Sequence, residues 1–242
     1  MPTNVIHLVG GGPGAIMATR AHIKRAVAAV GQEAKKKKPL VAYIGVASND
    51  NLGFQKMLSA AFFGTGARIE MAKLARKTAK VSNARALLAD CDLVFMSGGD
   101  VEHGMNILNE RGVADDLRAL AAAGKPFLGI SAGSIMTCKE WVRFPGDDDA
   151  KAETFACLGI APVHMDAHSE ADNWPELRTL VRLLAQKDPA AVAYGVPSKG
   201  CLRVELAADG KPKLKALGAE VTRIAAGKAG APVDKTPLKP RD

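Results

Sequence analysis

The residues best placed to do chemistry lie in Lys125-Pro126-Phe127-Leu128-Gly129-Ile130-Ser131-Ala132-Gly133-Ser134-Ile135-Met136. An apolar strand arrives, the chain turns through small residues, and a helix leaves. Glycine on either side of the serine suits such an elbow, because the turn leaves no room for side chains near the backbone. The turn presents the Ser131 hydroxyl at the carboxyl end of the strand, where open α/β sheets carry their sites. Ser131 is therefore the candidate nucleophile, with the amide-rich start of the departing helix facing any negative charge that develops there. Acyl transfer also needs two preorganised N–H donors for the oxyanion. Ala132, directly after the serine, is one. Gly99 is the other, in Met96-Ser97-Gly98-Gly99-Asp100, a second strand ending in a glycine pair beside a helix start. Gly98 has no side chain to obstruct a substrate there. A plainer reading makes Ser131 and Asp100 helix caps, which does not conflict with the first.

A serine at neutral pH needs a partner to take its proton, usually histidine. The chain has five histidines: His7, His22, His103, His164 and His168. His7 falls inside an expected strand, His22 in the first helix and His103 near the start of another. His164 and His168 lie in Pro162-Val163-His164-Met165-Asp166-Ala167-His168, where a strand passes into a loop. His168 is nearer the strand end and is the expected base; a metal pair with Asp166 is the alternative, and no metal is expected. A third group must hold the imidazole in its tautomer and orientation. Asp147, Asp148 and Asp149 are candidates, as are Glu140, Glu153 and Glu170, and spacing does not choose among them.

These residues need a scaffold. Strands are predicted at 5–9, 40–46, 68–71, 93–97 and 126–130, with helices at 15–30, 52–63, 82–89, 101–109 and 114–123 between them. Short apolar strands alternating with helices imply a mostly parallel sheet covered on both faces, a three-layer α/β/α architecture. The strands barely alternate in polarity, as expected when both sides are buried. Beyond Cys157 the pattern changes to a helix at 175–186 and strand-like segments at 191–196, 201–206, 213–216 and 221–224. These are expected to extend the sheet or add antiparallel edges near the C terminus. Residues 1–230 read as one domain and the Pro- and Lys-rich 231–242 as a disordered tail.

Composition narrows the function. With 48% hydrophobic and 24% charged residues, the chain is an ordinary globular protein. No apolar run approaches bilayer-spanning length and no secretory signal is visible, so a cytoplasmic protein without membrane contact is expected. The four cysteines are scattered without zinc-ligand spacing, which favours reduced thiols. A net charge of +8 invites a nucleic-acid partner, but much of the excess sits in Lys35-Lys36-Lys37-Lys38 and the C-terminal segment, with no accompanying motif. A solvated lysine loop and no nucleic-acid partner is the expectation.

The ordered set Ser-Gly-Gly-Asp, Gly-Ile-Ser-Ala-Gly-Ser, an acidic loop, then Leu158-Gly159-Ile160-Ala161-Pro162 leading to a histidine resembles the peptidase E/cyanophycinase family of serine peptidases, built on the class I glutamine amidotransferase-like (flavodoxin-like) fold. The resemblance spans residues 5–184 and is most specific at 96–100, 129–134 and 157–168. It implies Ser131 as nucleophile and His168 as base. It also implies an acidic residue soon after the serine, and Asp147 fits best when Arg143 is matched to the family's arginine. The implied substrate is a small peptide or amide, with Asp-containing dipeptides favoured if Arg143 or Lys139 receives the carboxylate. No cofactor is implied, and a homodimer is. Two departures stand out. Ala167 and Ser169 flank the histidine where the family usually has proline and an aromatic residue. The stretch 169–176 is acidic where cyanophycinases carry arginines, which argues against cyanophycin.

Two other classes compete. Gly10-Gly11-Gly12-Pro13-Gly14-Ala15 loosely matches a dinucleotide fingerprint, which would make the chain an oxidoreductase. The acidic residue expected about 20 positions on, at the end of the second strand, is missing there; Asp50 lies about 35 away. The second competitor is a catalytically silent binding protein on the same fold.

Overall fold

Along each central strand, neighbouring apolar residues point to opposite sides of the sheet, and each side meets its own layer of helices. The computed structural model describes residues 4–12, 14–33, 35, 38–206 and 211–240. Pro13 of the glycine-rich turn and Lys36 and Lys37 of the lysine run lie outside the described residues. The strands β1 (Asn4–Val9), β2 (Leu40–Ile44), β3 (Arg68–Ala72), β4 (Leu93–Met96) and β5 (Phe127–Ile130) pair in parallel in the order β1-β5-β4-β2-β3. Val9, Val41, Tyr43, Leu93, Phe95, Leu128 and Ile130 form one core with helices α1 (Ile16–Glu33) and α2 (Leu52–Ser59). Ile6, Leu8, Ala42, Ile44, Val94, Met96 and Phe127 face the other way. There they meet α3 (Val81–Asp90), α4 (Val101–Glu110), α5 (Ala114–Ala122) and α6 (Ala132–Thr137). Period-two alternation between two apolar faces is what a parallel sheet buried on both sides requires. The α/β expectation and nearly all of these element positions hold.

The C-terminal third adds more than an edge. Strands β10 (Cys201–Leu206) and β11 (Pro212–Leu217) extend the main sheet antiparallel beyond β1. A second sheet has the order β13-β12-β9-β8 and comprises β8 (Met165–Ala167), β9 (Val192–Val196), β12 (Val221–Ala226) and β13 (Pro232–Leu238). A hairpin of β6 (Glu140–Arg143) and β7 (Glu153–Ala156) stands apart, and α7 (Pro175–Leu184) packs against the hairpin and the second sheet.

Residues 232–238 correct the expectation of a disordered tail, for they pair with β12. Proline and lysine are unfavourable inside a sheet but tolerated on an exposed edge strand, where half of the backbone needs no partner. Asp234 also reaches Arg178 of α7 at 2.7 Å. Among the described residues no helix is long and apolar enough to cross a membrane. The four cysteines are buried and free.

Candidate active site

The elbow after β5 is strained as its sequence suggested. Ser131 takes φ 54° and ψ −127°, a conformation that costs a non-glycine residue on the order of 1–3 kcal/mol and persists only where the surroundings enforce it. Those surroundings are tight. A Cβ on Gly133 would fall 2.1 Å from the Met96 carbonyl oxygen, and one on Gly129 would fall 2.6 Å from Ser134 Cα. The Val9 carbonyl pins the turn by accepting from Ser131 N at 3.0 Å and from Ser134 Oγ at 2.9 Å.

Ser131 Oγ stands 2.8 Å from His168 Nε2, the geometry in which a hydroxyl donates to an unprotonated imidazole nitrogen. His168 follows β8 directly and has φ 50°. Its N–H donates to the Val196 carbonyl at 3.0 Å. Gly12 lies against its other side, where an added Cβ would come within 3.0 Å of His168 Cβ. The glycine-rich turn after β1 thus has a packing reason, which accounts for the residues that suggested a dinucleotide fingerprint.

Gly99 and Ala132, the expected oxyanion donors, line the groove beside Ser131 and His168. Gly98 backs onto Ser131, since a Cβ there would lie 3.3 Å from Ser131 Cβ. Gly99 has φ +140° and sits hard against the Ala47 carbonyl. Among the described residues, the amides of Gly98, Gly99 and Ala132 donate to no protein acceptor.

The other histidines are elsewhere. His7 is buried in β1, and burial near Arg203 pushes its pKa down to about 3. His22 meets the Lys199 carbonyl at 3.1 Å, and His103 contacts Asn49 Oδ1 at 2.8 Å. His164 is buried, its pKa lowered by desolvation and by Lys139. Burial raises the Cys157 and Cys201 thiols to about 12 and the Cys138 thiol also well above its usual value. None is poised as a thiolate nucleophile.

Asp147 lines the groove beside Ser131 and His168, yet among the described residues no hydrogen bond joins it to His168. Two glutamates, Glu170 and Glu176, lie within electrostatic reach of His168. Glu170 accepts from Ser198 N at 2.9 Å, and its pKa is lowered despite partial desolvation by that contact and by His168. Glu176, in the first turn of α7, has its pKa raised by desolvation, which His168 partly offsets. Asp148 caps its own turn, and Glu153 is paired with Arg143 at 2.7 Å. Glu140 faces Lys187 at 3.6 Å.

Arg143 also lines the groove, but its guanidinium is engaged by Glu102 at 2.9 Å as well as by Glu153. Sequence reasoning did not foresee the Glu102 partner, which comes from a helix 41 positions away. Nor did it mark Asp166 and Glu176 as groove residues. The available signals were weak: Asp166 stands two positions before the histidine, and Glu176 follows the proline that opens α7.

Two hollows meet at the Ser131–His168 pair. One, of about 350 Å³, is lined by Phe54, Met57, Leu58, Ala61 and Ile130 together with glycines. The other, of about 400 Å³, is the polar groove.

The fold is a three-layer α/β architecture, and its sheet edge sets Ser131 against His168. The model of peptidase family S51 matches residues 8–206, and the chain belongs to that family. The crystal structure of a peptidase from an acI-B1 Actinobacterium has the same fold, with a TM-score of 0.71 at 16% identity over 99% of this chain and 95% of that one. A pyridoxal 5'-phosphate synthase subunit PdxT from Natronomonas pharaonis is 29% identical over 92 residues, 38% of this chain and 43% of the relative. A peptidase E from a Nostoc species is 26% identical over 88 residues, 36% of each. The matches span less than half the length of these curated relatives.

Proposed function

We propose that this chain is a serine hydrolase that cleaves a small peptide or amide through an acyl-enzyme. The observation that carries the reading is the 2.8 Å contact between Ser131 Oγ and His168 Nε2 at a strained elbow. Ser131 Oγ attacks the carbonyl carbon while its proton passes to His168 Nε2. The amides of Gly99 and Ala132 hold the oxyanion. The C–N bond then breaks, and the leaving amine takes the proton from His168. Water attacks the ester with the same base, releasing the acid and restoring the serine. Glu170 and Glu176, which feel the charge of His168, supply negative field that stabilises the imidazolium, while among the described residues Asp147 makes no hydrogen bond to the ring. Neither metal nor organic cofactor takes part.

A preference for Asp-containing dipeptides would need Arg143 to receive the substrate carboxylate, and its two existing partners oppose that. The competing reading is a silent binding protein. Labelling with a fluorophosphonate, and mapping the adduct by mass spectrometry, separates the two. Labelling at Ser131 that is lost in Ser131→Ala, together with a fall in hydrolysis of about 10⁴-fold, is the expected result. An unlabelled wild type would overturn the hydrolase reading.

A further inference from the structure

The polar groove has an electrostatic character that the hydrolytic pair does not require. Five of its lining residues are carboxylic acids: Asp100, Glu102, Asp147, Asp166 and Glu176. Against them stands Arg143, the lone arginine or lysine in that lining. Two of the five already have partners. Asp100 caps α4 by accepting the His103 N–H, and Glu102 binds Arg143. Arg143 carries Glu153 as well, so its charge is more than matched. Among the described residues, no lysine or arginine forms an ion pair with Asp147, Asp166 or Glu176.

Asp166 is the most telling of the three. It is 2% exposed and lines the groove, and its Oδ1 accepts the Ala167 N–H at 2.7 Å. Its Oδ2 is buried without a hydrogen-bond partner. A buried carboxyl oxygen left unpaired costs free energy that a donor would recover, and a cation seated beside it favours the ionised form. Positively charged donors recover most, since a charge-assisted hydrogen bond is about twice as strong as a neutral one. The apolar hollow on the other side of the same serine offers no such partner. Its walls favour a hydrocarbon side chain, as ligand pockets of this size generally do.

We infer that the groove is a subsite for a positively charged group, so that the substrate is a short peptide with a lysine or arginine on one side of the scissile bond and an apolar residue on the other. The inference rests on the reading of Ser131 and His168 as a hydrolytic pair. The charge preference is opposite to the one that a free Arg143 would confer. In this chain Glu102 and Glu153 neutralise the residue that would receive an acidic substrate.

The test measures binding apart from turnover. Ser131→Ala protein is titrated calorimetrically with the dipeptides Leu-Lys, Leu-Met and Leu-Glu and their reversed counterparts. The charged ends are common to all six, so differences report the side chain. The lysine peptide of the better-bound order is expected to bind about tenfold more tightly than its methionine analogue, with the glutamate peptide weakest. The gap is expected to narrow as salt rises and screens the groove. In the same background, Glu102→Gln with Glu153→Gln, which frees Arg143, is expected to improve glutamate-peptide binding. Glutamate and lysine peptides binding equally, or none of the six binding, would overturn the inference. Fluorophosphonate labelling of the wild type is scored separately. A labelled serine without lysine preference sinks the subsite alone, whereas lysine preference without labelling sinks the hydrolase reading and keeps the subsite.

Discussion

The two hollows beside Ser131 come from different parts of the chain and are held by different forces. The apolar one is walled by α1 and α2 side chains standing on the parallel sheet, where Leu58 and Ala61 already belong to the buried core. Packing alone fixes its shape. The acidic groove is assembled from the start of α4, the β6–β7 hairpin, the end of β8 and the start of α7. Ion pairs and unsatisfied carboxylates define it, and the strands that contribute to it lie outside the parallel sheet. Ser131 stands at the seam, carried by the parallel sheet, while His168 follows a strand of the second sheet. The contrast separates two tasks. The rigid parallel core holds Ser131 and the backbone of Gly99 and Ala132, and the added elements bring His168 and most of the groove's charged side chains.

The largest effect expected in breaking this division comes from the carboxylates around the base. If Glu170 or Glu176 stabilises the His168 imidazolium, Glu170→Gln or Glu176→Gln should lower kcat by roughly 10- to 100-fold. The same change should shift the acidic, rising limb of the pH–rate profile to lower pH, because the imidazolium loses a stabilising negative charge. Asp147→Asn is expected to leave both nearly unchanged. A collapse of activity in Asp147→Asn, with the two glutamine variants intact, would return the orienting role to Asp147.

A smaller effect is expected on the apolar side. Met57 lines that hollow yet is 44% exposed, so a polar replacement can be accommodated. Met57→Lys should lower kcat/KM by about tenfold for peptides with an apolar residue beside the scissile bond, without reducing fluorophosphonate labelling of Ser131. Unchanged specificity would mean that substrate does not use this hollow.

The subtlest test concerns stability. Burial raises the Asp166 carboxyl from its ordinary 3.8 to about 7. Between those values the unfolded chain has already lost the proton that the folded protein retains, so stability falls as pH rises through this window. The penalty, up to ~4 kcal/mol, is fully present above pH 7 and absent below pH 4. Asp166→Asn removes it. The variant should therefore gain in Tm relative to the wild type more at pH 8 than at pH 4, as differential scanning calorimetry would show. An equal shift at both values would mean that Asp166 is already compensated in the folded protein.

Much of this molecule was legible in advance because the relevant rules are local. Short apolar runs between helical patterns specify buried parallel strands. The glycines around Ser131 announce an elbow because only a missing side chain fits where Gly133 passes the Met96 carbonyl. His168 was identifiable by its place at a strand end, since the carboxyl edge of the sheet is where a serine on that edge needs its partner. Local pattern could not reveal β13, whose prolines and lysines read as a tail until β12 offers it an edge.

The charge pairing was equally hidden. Arg143 reads as a free cation in sequence, and only folding brings Glu102 to it from another helix. The same holds for the carboxylates near His168, because Coulomb interactions depend on distance through space. Sequence by itself determined the parallel core and the elbow, through short-range sterics and hydrophobic periodicity, and brought Ser131 and His168 forward as a candidate pair. Tertiary structure alone decided which charges meet, which are left unpaired, and therefore the electrostatic face that the site turns to a substrate.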